Sequence, residues 1–266
     1  MSTPRYETHK MPHPMLPFIY HRRFELVQRQ ITPNWHENIE LLQCTEGEGY
    51  VLCGPERVPL TRENLVIVNA DTLHCVGTDG RVVYRCLIID NSFFASNGVP
   101  IGGLYFQNVI GDPVVRGLFE DAARAYEQLL PEDYRGVLDI RTCVLRLVQA
   151  LCLRFTTRRP DNPANEHVKR AMTYLRQNLS APMTLEAVAE AAGISKYHLA
   201  HLFKQFTGKT LVQTVNMMRC TEARRRMEEG MSVGAAATSC GFENLSYFTR
   251  VYKKHMGTLP SECVPK

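Results

Sequence analysis

The chain has 266 residues, 44% of them hydrophobic and 22% charged, with a formal net charge of +4. That apolar share belongs to folded globular protein rather than a disordered chain, and the length suits two domains or one large one. No apolar run approaches the ~18 residues of a membrane span, and the Pro-broken opening is not expected to act as a signal peptide. Nine cysteines, odd in number and never in CxxC spacing, speak against a disulfide framework or zinc ribbon and for reduced thiols in a cytoplasmic protein.

Residues 1–17, rich in Pro, Met and charge, read as an arm. His9 and His13 stand four apart there, but Pro12 and Pro14 break the helix that would bring them together, so neither is given a role. From about Phe24 to Ile89 short apolar runs, "IELLQC", "GYVLC", "LVIVN" and "VVYRCLIID", alternate with the turn signals "EGEG", "CGPER", "ADTLH" and "GTDGR". Short strands at such spacing predict a sandwich or barrel.

Near Asp112 the period lengthens. "PVVRGLFEDAARAYEQLL" and "GVLDIRTCVLRLVQALCLRF" repeat apolar residues every three to four positions, which predicts two helices. The second carries two apolar stripes: Val137, Val144, Leu147 and Leu151 on one, Leu138, Leu145 and Cys152 on an adjoining face. Either the whole width is core, or one face packs on the barrel and the other on a second copy of the chain. "TTRRPDNPAN" then has two Pro and no periodicity, the signature of a linker. The expected domains are therefore 1–156 and 166–266, joined by residues 157–165.

Charge divides at the same place. Residues 161–266 hold 14 Lys and Arg against 9 Asp and Glu, a net of +5, while the first 160 hold 17 against 18. A basic C-terminal part suits a polyanionic partner. Beyond the linker all segments read helical, and two of them superpose. Ala189 and Gly193 recur as Ala237 and Gly241 at an offset of 48; Leu199, Lys204 and Gly208 recur as Phe248, Lys253 and Gly257 at an offset of 49. One extra residue sits in the second turn.

Each unit, about 185–206 and 233–255, has the make-up of a helix-turn-helix. A small Ala permits close crossing, and the Gly supplies a tight turn. Leu199, Leu202, Phe203 and Phe206, or Phe248, Val251 and Tyr252, pin one face of the second helix. The opposite faces are polar and basic, as a major groove flanked by phosphates requires. Between the units "TLVQTVNMMRCTEARRRMEE" reads as one continuous helix that would fix two recognition helices about one turn of DNA, ~34 Å, apart. A plain solvated helix face explains any single one of these polar residues equally well; the matched pair of units points to DNA.

The stretches "LEAVAEAAGISKYHLAHLFKQFTG", "RCTEARRRM" from Arg219 and "GFENLSYFTRVYKKHMGTLPSE" resemble the C-terminal domain of the AraC/XylS transcription regulators, over about residues 168–260. Two departures are visible: Tyr252 stands where Phe is usual, and "SECVPK" replaces the usual ending. The resemblance implies a two-domain fold, an N-terminal α+β cupin-like barrel with a helical hairpin and a C-terminal all-α double helix-turn-helix. It places Tyr197, Ala200 and His201 of the first recognition helix where relatives contact bases. In the second, Asn244, Leu245, Ser246, Thr249 and Arg250 take the reading positions. Arg250, whose fork matches guanine O6 and N7, is the expected guanine reader, and the Ala200 methyl can touch a thymine. Lys196, Lys204, Lys253 and Lys254 suit phosphates. Double-stranded DNA and RNA polymerase are the implied macromolecular partners, with a homodimer through helix 137–155.

The N-terminal stretch "NWHENIELLQCTEGEGYVLCG" and the later "LTRENLVIVNADTLHCVG" resemble, more loosely, the small cupin-like barrel that precedes this domain in such regulators and binds a small effector. A metal cupin offers HxH, then Glu, then a distant His. Here Asn38 stands two residues after His36, in place of the second His. Trp35, His36, Glu40 and His74 are assigned to an effector pocket, with a sugar or related metabolite favoured; the alternative is that the polar three are a buried remnant of a metal-binding barrel. Trp35 either stacks on the effector or belongs to the core. No cofactor and no metal are assigned, although His36, Glu40 and His74 would make a three-ligand site with open positions. No phosphate loop and no Ser/His/Asp arrangement is present, so the chain is expected not to be an enzyme. The rivals are a metal-dependent cupin enzyme fused to a DNA-binding domain and a regulator that takes no ligand.

Overall fold

A computed structural model describes residues 16–100, 103–130, 133–159 and 163–263. Most of the arm at residues 1–17, His9 and His13 included, and residues 160–162 of the linker stretch lie outside the described residues. The chain divides into two compact units, Met1–Asp161 and Asn162–Lys266.

Unit 1 is built on two antiparallel sheets. The larger has the strand order β1-β7-β2-β5-β8, with β1 (Phe18–Val27), β2 (Ile39–Gly47), β5 (Leu65–Val68), β7 (Arg81–Ile89) and β8 (Val109–Ile110). The smaller has the order β4-β3-β6, with β3 (Gly49–Cys53), β4 (Glu56–Leu60) and β6 (His74–Gly77). Strand structure starts at Phe18, ahead of the expected Phe24. The reason is position: β1 is an edge strand whose middle, from His21 to Glu25, is exposed, so charge there is tolerated and hides the pattern. β4 likewise contains Pro59 on the edge of its sheet, where a missing N–H costs no ladder bond.

The large sheet is covered on both faces, which explains why its central strands read as nearly unbroken apolar runs. Alternate residues of β2, β5 and β7 point opposite ways. Leu42, Val66, Val68, Val82, Tyr84 and Ile88 join Val51, Val58, Leu60 and Val76 of the small sheet in one buried cluster between the sheets. Ile39, Leu41, Leu65, Ile67, Leu87 and Ile89 face the other way. They pack with the helices α1 (Asn91–Ser96), α2 (Pro113–Glu127) and α3 (Tyr134–Arg154) in a second cluster.

Asp112 caps α2 with Pro113 at its first position, and Asp133 caps α3, so both predicted helices begin where side-chain oxygens replace missing backbone acceptors. The first stripe of α3 is core: Val137, Val144, Leu147 and Leu151 are buried. The adjoining stripe is not, since Leu138 is 59% and Leu145 42% exposed. Cys152 is partly buried against the cluster.

Unit 2 is helical: α4 (Pro163–Gln177), α5 (Leu185–Ala192), α6 (Lys196–Thr207), α7 (Leu211–Glu228), α8 (Val233–Ser239) and α9 (Leu245–Met256), then a 3-10 turn at Pro260–Glu262. Helix begins at Pro163, inside the stretch expected to be linker. α5 and α6 pack on α4, while α8 and α9 pack on the second half of α7. α7 runs unbroken for 18 residues, about 27 Å at helical rise, and begins at a capping box between Thr210 and Gln213.

Candidate nucleic-acid interface and barrel site

The two helical hairpins of unit 2 repeat down to their caps. Thr184 and Ser232 cap the first helices, and Ser195 and Asn244 cap the second. Gly193 and Gly241 both take the left-handed conformation, with φ of 72° and 85°. Gly208 and Gly257 end α6 and α9 the same way, at 68° and 80°. Ala189 and Ala237 are buried at the crossings. The extra residue of the second unit lies between Gly241 and its cap, where Phe242 and Glu243 replace the single Ile194.

Leu199, Leu202, Phe203 and Phe206 of α6 are buried, as are Phe248, Val251 and Tyr252 of α9. Their opposite faces hold the residues expected to meet DNA. Tyr197, Ala200, His201 and Lys204 are exposed, and Tyr197 is 79% accessible, an unusual state for so large a ring. Leu245, Ser246, Arg250, Lys253 and Lys254 are exposed on α9. Three of the twelve expected residues have local duties. Asn244 is the cap of α9, its side-chain oxygen accepting the Tyr247 N–H at 2.8 Å. The Thr249 hydroxyl donates to the Leu245 carbonyl at 2.9 Å. Lys196 is held by Glu186 at 2.8 Å.

Charge pairing separates four of these cations from three arginines of α7. On α7, Arg224 pairs with Glu228, Arg225 with Glu222 and Glu229, and Arg226 with Glu222. Glu222 is drawn down to about pKa 2, by its hydrogen bonds to Arg225 first and Arg226 after it. Among the described residues, by contrast, Lys204, Arg250, Lys253 and Lys254 form no ion pair. Three of the α7 arginines are thus neutralised locally while these four cations of α6 and α9 are not, a distinction that net charge alone does not carry.

Arg219 has a scaffolding place. Its guanidinium donates to the carbonyls of Leu179, Ala181 and Gly241 at 2.8–2.9 Å, tying α7 to the turn that precedes α9. Sequence reasoning also passed over Tyr247, whose hydroxyl accepts from Asn216 Nδ2 at 2.9 Å and whose ring lies under Arg250. Its signal was present in the sequence, three residues before Arg250 on one helix face.

In unit 1 the four expected pocket residues fall in one neighbourhood. A reciprocal backbone pair joins Asn34 to His74. Asp71, left-handed at φ 60°, donates its N–H to the His36 carbonyl at 2.8 Å. That turn brings His74 against His36, with ring centroids 4.9 Å apart. Glu40 Oε2 lies 3.2 Å from His36 Nε2 and 3.1 Å from His74 Nε2, and Glu40 Oε1 accepts the Cys86 thiol at 2.9 Å. Burial works against an ionised Glu40, but His36 and His74 beside it outweigh that and hold the carboxyl well below its usual range. Trp35 is half-buried one residue away. Polar groups converging in an otherwise apolar interior are what a small-molecule site requires.

Comparison with known proteins matches both units to family models. Residues 19–135 match the AraC-like ligand binding domain, and residues 188–264 match a helix-turn-helix domain. The probable transcription factor PqrA of Proteus vulgaris is 35% identical over 103 residues, 38% of this chain and 83% of that one. This chain belongs to the AraC family. The multiple antibiotic resistance protein MarA of Escherichia coli is 32% identical over 90 residues, 34% of this chain and 71% of its own. ToxT from Vibrio cholerae superposes with a TM-score of 0.48 and 13% identity, covering 92% of this chain and 97% of that chain. As an AraC-family member the chain is a DNA-binding transcription regulator with a ligand-binding domain, as its sequence implied. No described helix is long and apolar enough to cross a membrane.

Proposed function

We propose that this regulator reads one face of a DNA duplex with α6 and α9 and is controlled by a small effector, a sugar or related metabolite, in the barrel of unit 1. The observation that carries the DNA half is the repeat itself: two hairpins with equivalent caps and left-handed glycines, whose exposed faces hold Lys204, Arg250, Lys253 and Lys254, none in an ion pair among the described residues. Tyr197, Ala200 and His201 read bases from α6, and Asn244, Leu245, Ser246, Thr249 and Arg250 read them from α9. Arg250 takes a guanine. Lys204, Lys253 and Lys254 hold phosphates, and Lys196 joins them once it exchanges Glu186 for the backbone.

His36, Glu40 and His74 supply polar contacts to the effector, and Trp35 offers an aromatic face to a sugar ring. The exposed stripe of α3 pairs two protomers, so that an effector changes which DNA half-sites a dimer holds at once. The working domains follow the two compact units, residues 1–161 and 162–266, rather than a boundary at 166 that would cut α4. Transcription is controlled in the cytoplasm through contact with RNA polymerase, as the family membership suggests.

The test compares two substitutions on α9. On duplexes selected by the full chain, Arg250→Ala is expected to lose about 1–3 kcal/mol on the selected site and little on random DNA. Lys253→Ala weakens both alike and lowers the salt slope by about one. Equal losses on both DNAs for both variants would reject the division into reading and anchoring residues.

A further inference from the structure

We propose that unit 1 binds a divalent first-row transition metal on His36 Nε2, His74 Nε2 and the Glu40 carboxylate. The inference departs from the assignment of these residues to direct effector contact, and it does not depend on which effector, or whether any, the barrel takes.

The hydrogen bonds on the far side of each ring carry the case. His36 Nδ1 lies 3.0 Å from the Asn38 carbonyl, and His74 Nδ1 lies 2.9 Å from the Thr72 carbonyl. A carbonyl oxygen only accepts, so in each ring Nδ1 carries the proton. A neutral imidazole has one N–H, and its Nε2 then presents a lone pair. Both lone pairs are aimed at the same carboxylate oxygen, at 3.2 and 3.1 Å. Three donor atoms, two imidazole nitrogens and a carboxylate oxygen, therefore converge in a largely buried place.

One divalent ion satisfies all three atoms at once. Bonds of about 2.1 Å to imidazole nitrogen and carboxylate oxygen put neighbouring ligand atoms roughly 3.0–3.4 Å apart, which matches both nitrogen–oxygen distances. The three ligand atoms lie within 4.8 Å of one another.

The supports are those that ligands need. Backbone carbonyls fix both ring tautomers, and the Cys86 thiol donates to the second carboxylate oxygen at 2.9 Å, orienting the donors. Strand β2 holds Glu40 rigidly, paired to Val68 on one side and Ile88 on the other. Two imidazoles and one carboxylate favour zinc, iron(II), cobalt(II) or nickel(II) over calcium or magnesium. Three protein ligands leave positions open for water or for an oxygen donor.

The full chain, stripped with chelator, is dialysed against Co2+ alone. We expect about one Co2+ per chain, with weak visible bands of nitrogen and oxygen ligation and without the intense charge-transfer band of thiolate. Glu40→Gln and His74→Gln, if folded by circular dichroism, weaken retention about tenfold or more. Less than about a tenth of an equivalent on the wild-type chain overturns the proposal whatever the variants do. So does uptake that shows thiolate charge transfer and is unchanged in a folded Glu40→Gln or His74→Gln chain, since the ion then sits on cysteine.

Discussion

The hydroxyl of Tyr252 donates a hydrogen bond to Cys263 Sγ at 3.1 Å. Tyr252 is fully buried, and Cys263 follows the terminal 3-10 turn. The two places where the C-terminal sequence departs from the family pattern thus answer each other: the oxygen that Phe would lack finds its partner in the altered ending. A buried hydroxyl left without a partner costs about 1–3 kcal/mol, whereas removing both partners is nearly neutral. Cys263→Ala is expected to destabilise the DNA-binding unit by about 1–2 kcal/mol, and Tyr252→Phe added to it restores most of the loss. Urea unfolding of the wild type, both single variants and the double variant measures the coupling; strictly additive losses would show that the pair does not interact.

The turn glycines of the two hairpins share a conformation but not their surroundings. A Cβ on Gly241 would lie 2.8 Å from the Ser180 carbonyl oxygen and 2.9 Å from Arg219 Nη2, while one on Gly193 meets nothing closer than 3.7 Å. Gly193→Ala should therefore cost the left-handed penalty alone, about 1–2 kcal/mol. Gly241→Ala should cost at least about 1 kcal/mol more, because Arg219 is tied to three carbonyls and cannot give way freely. Thermal unfolding ranks the two, and a Gly193 variant as damaged as the Gly241 variant would refute the account of Arg219 as a scaffold.

Much of this was legible in the sequence, and the reasons differ by region. The double hairpin is written in local terms, since caps, turn glycines and helical periodicity all act within a few residues; only the extra residue before Asn244 needed the offset of 49 to find it. The start of β1 is hidden in the sequence because an exposed edge strand carries Arg22 and Arg23 in place of an alternating pattern. The neutralisation of the α7 arginines was available from the three- and four-residue spacings of Glu222, Arg225 and Arg226, yet a sum of charges conceals it. His36 and Glu40 are close in sequence, but nothing local says that His74 joins them. That follows from the left-handed Asp71 and the Asn34 pairing, which only the folded chain displays.

The exposed stripe of α3 makes a prediction about assembly. Leu138 and Leu145, with Leu153 at 76% accessibility, line a helix whose other face is already core. Leu138→Asp with Leu145→Asp is expected to convert a dimer to a monomer in sedimentation, with unchanged helix content, because neither side chain is buried within one chain. A wild-type chain that sediments as a monomer at micromolar concentration, or a double variant that remains dimeric, would remove α3 from the interface.

The central claim is that α6 and α9 enter successive major grooves of one duplex. Hydroxyl-radical footprinting of the full chain on a duplex selected from a random pool tests it most directly. Each protomer is expected to give two protected patches about 10 base pairs apart on the same face, one weakened by His201→Ala and the other by Arg250→Ala. A single patch that both variants weaken together would contradict it.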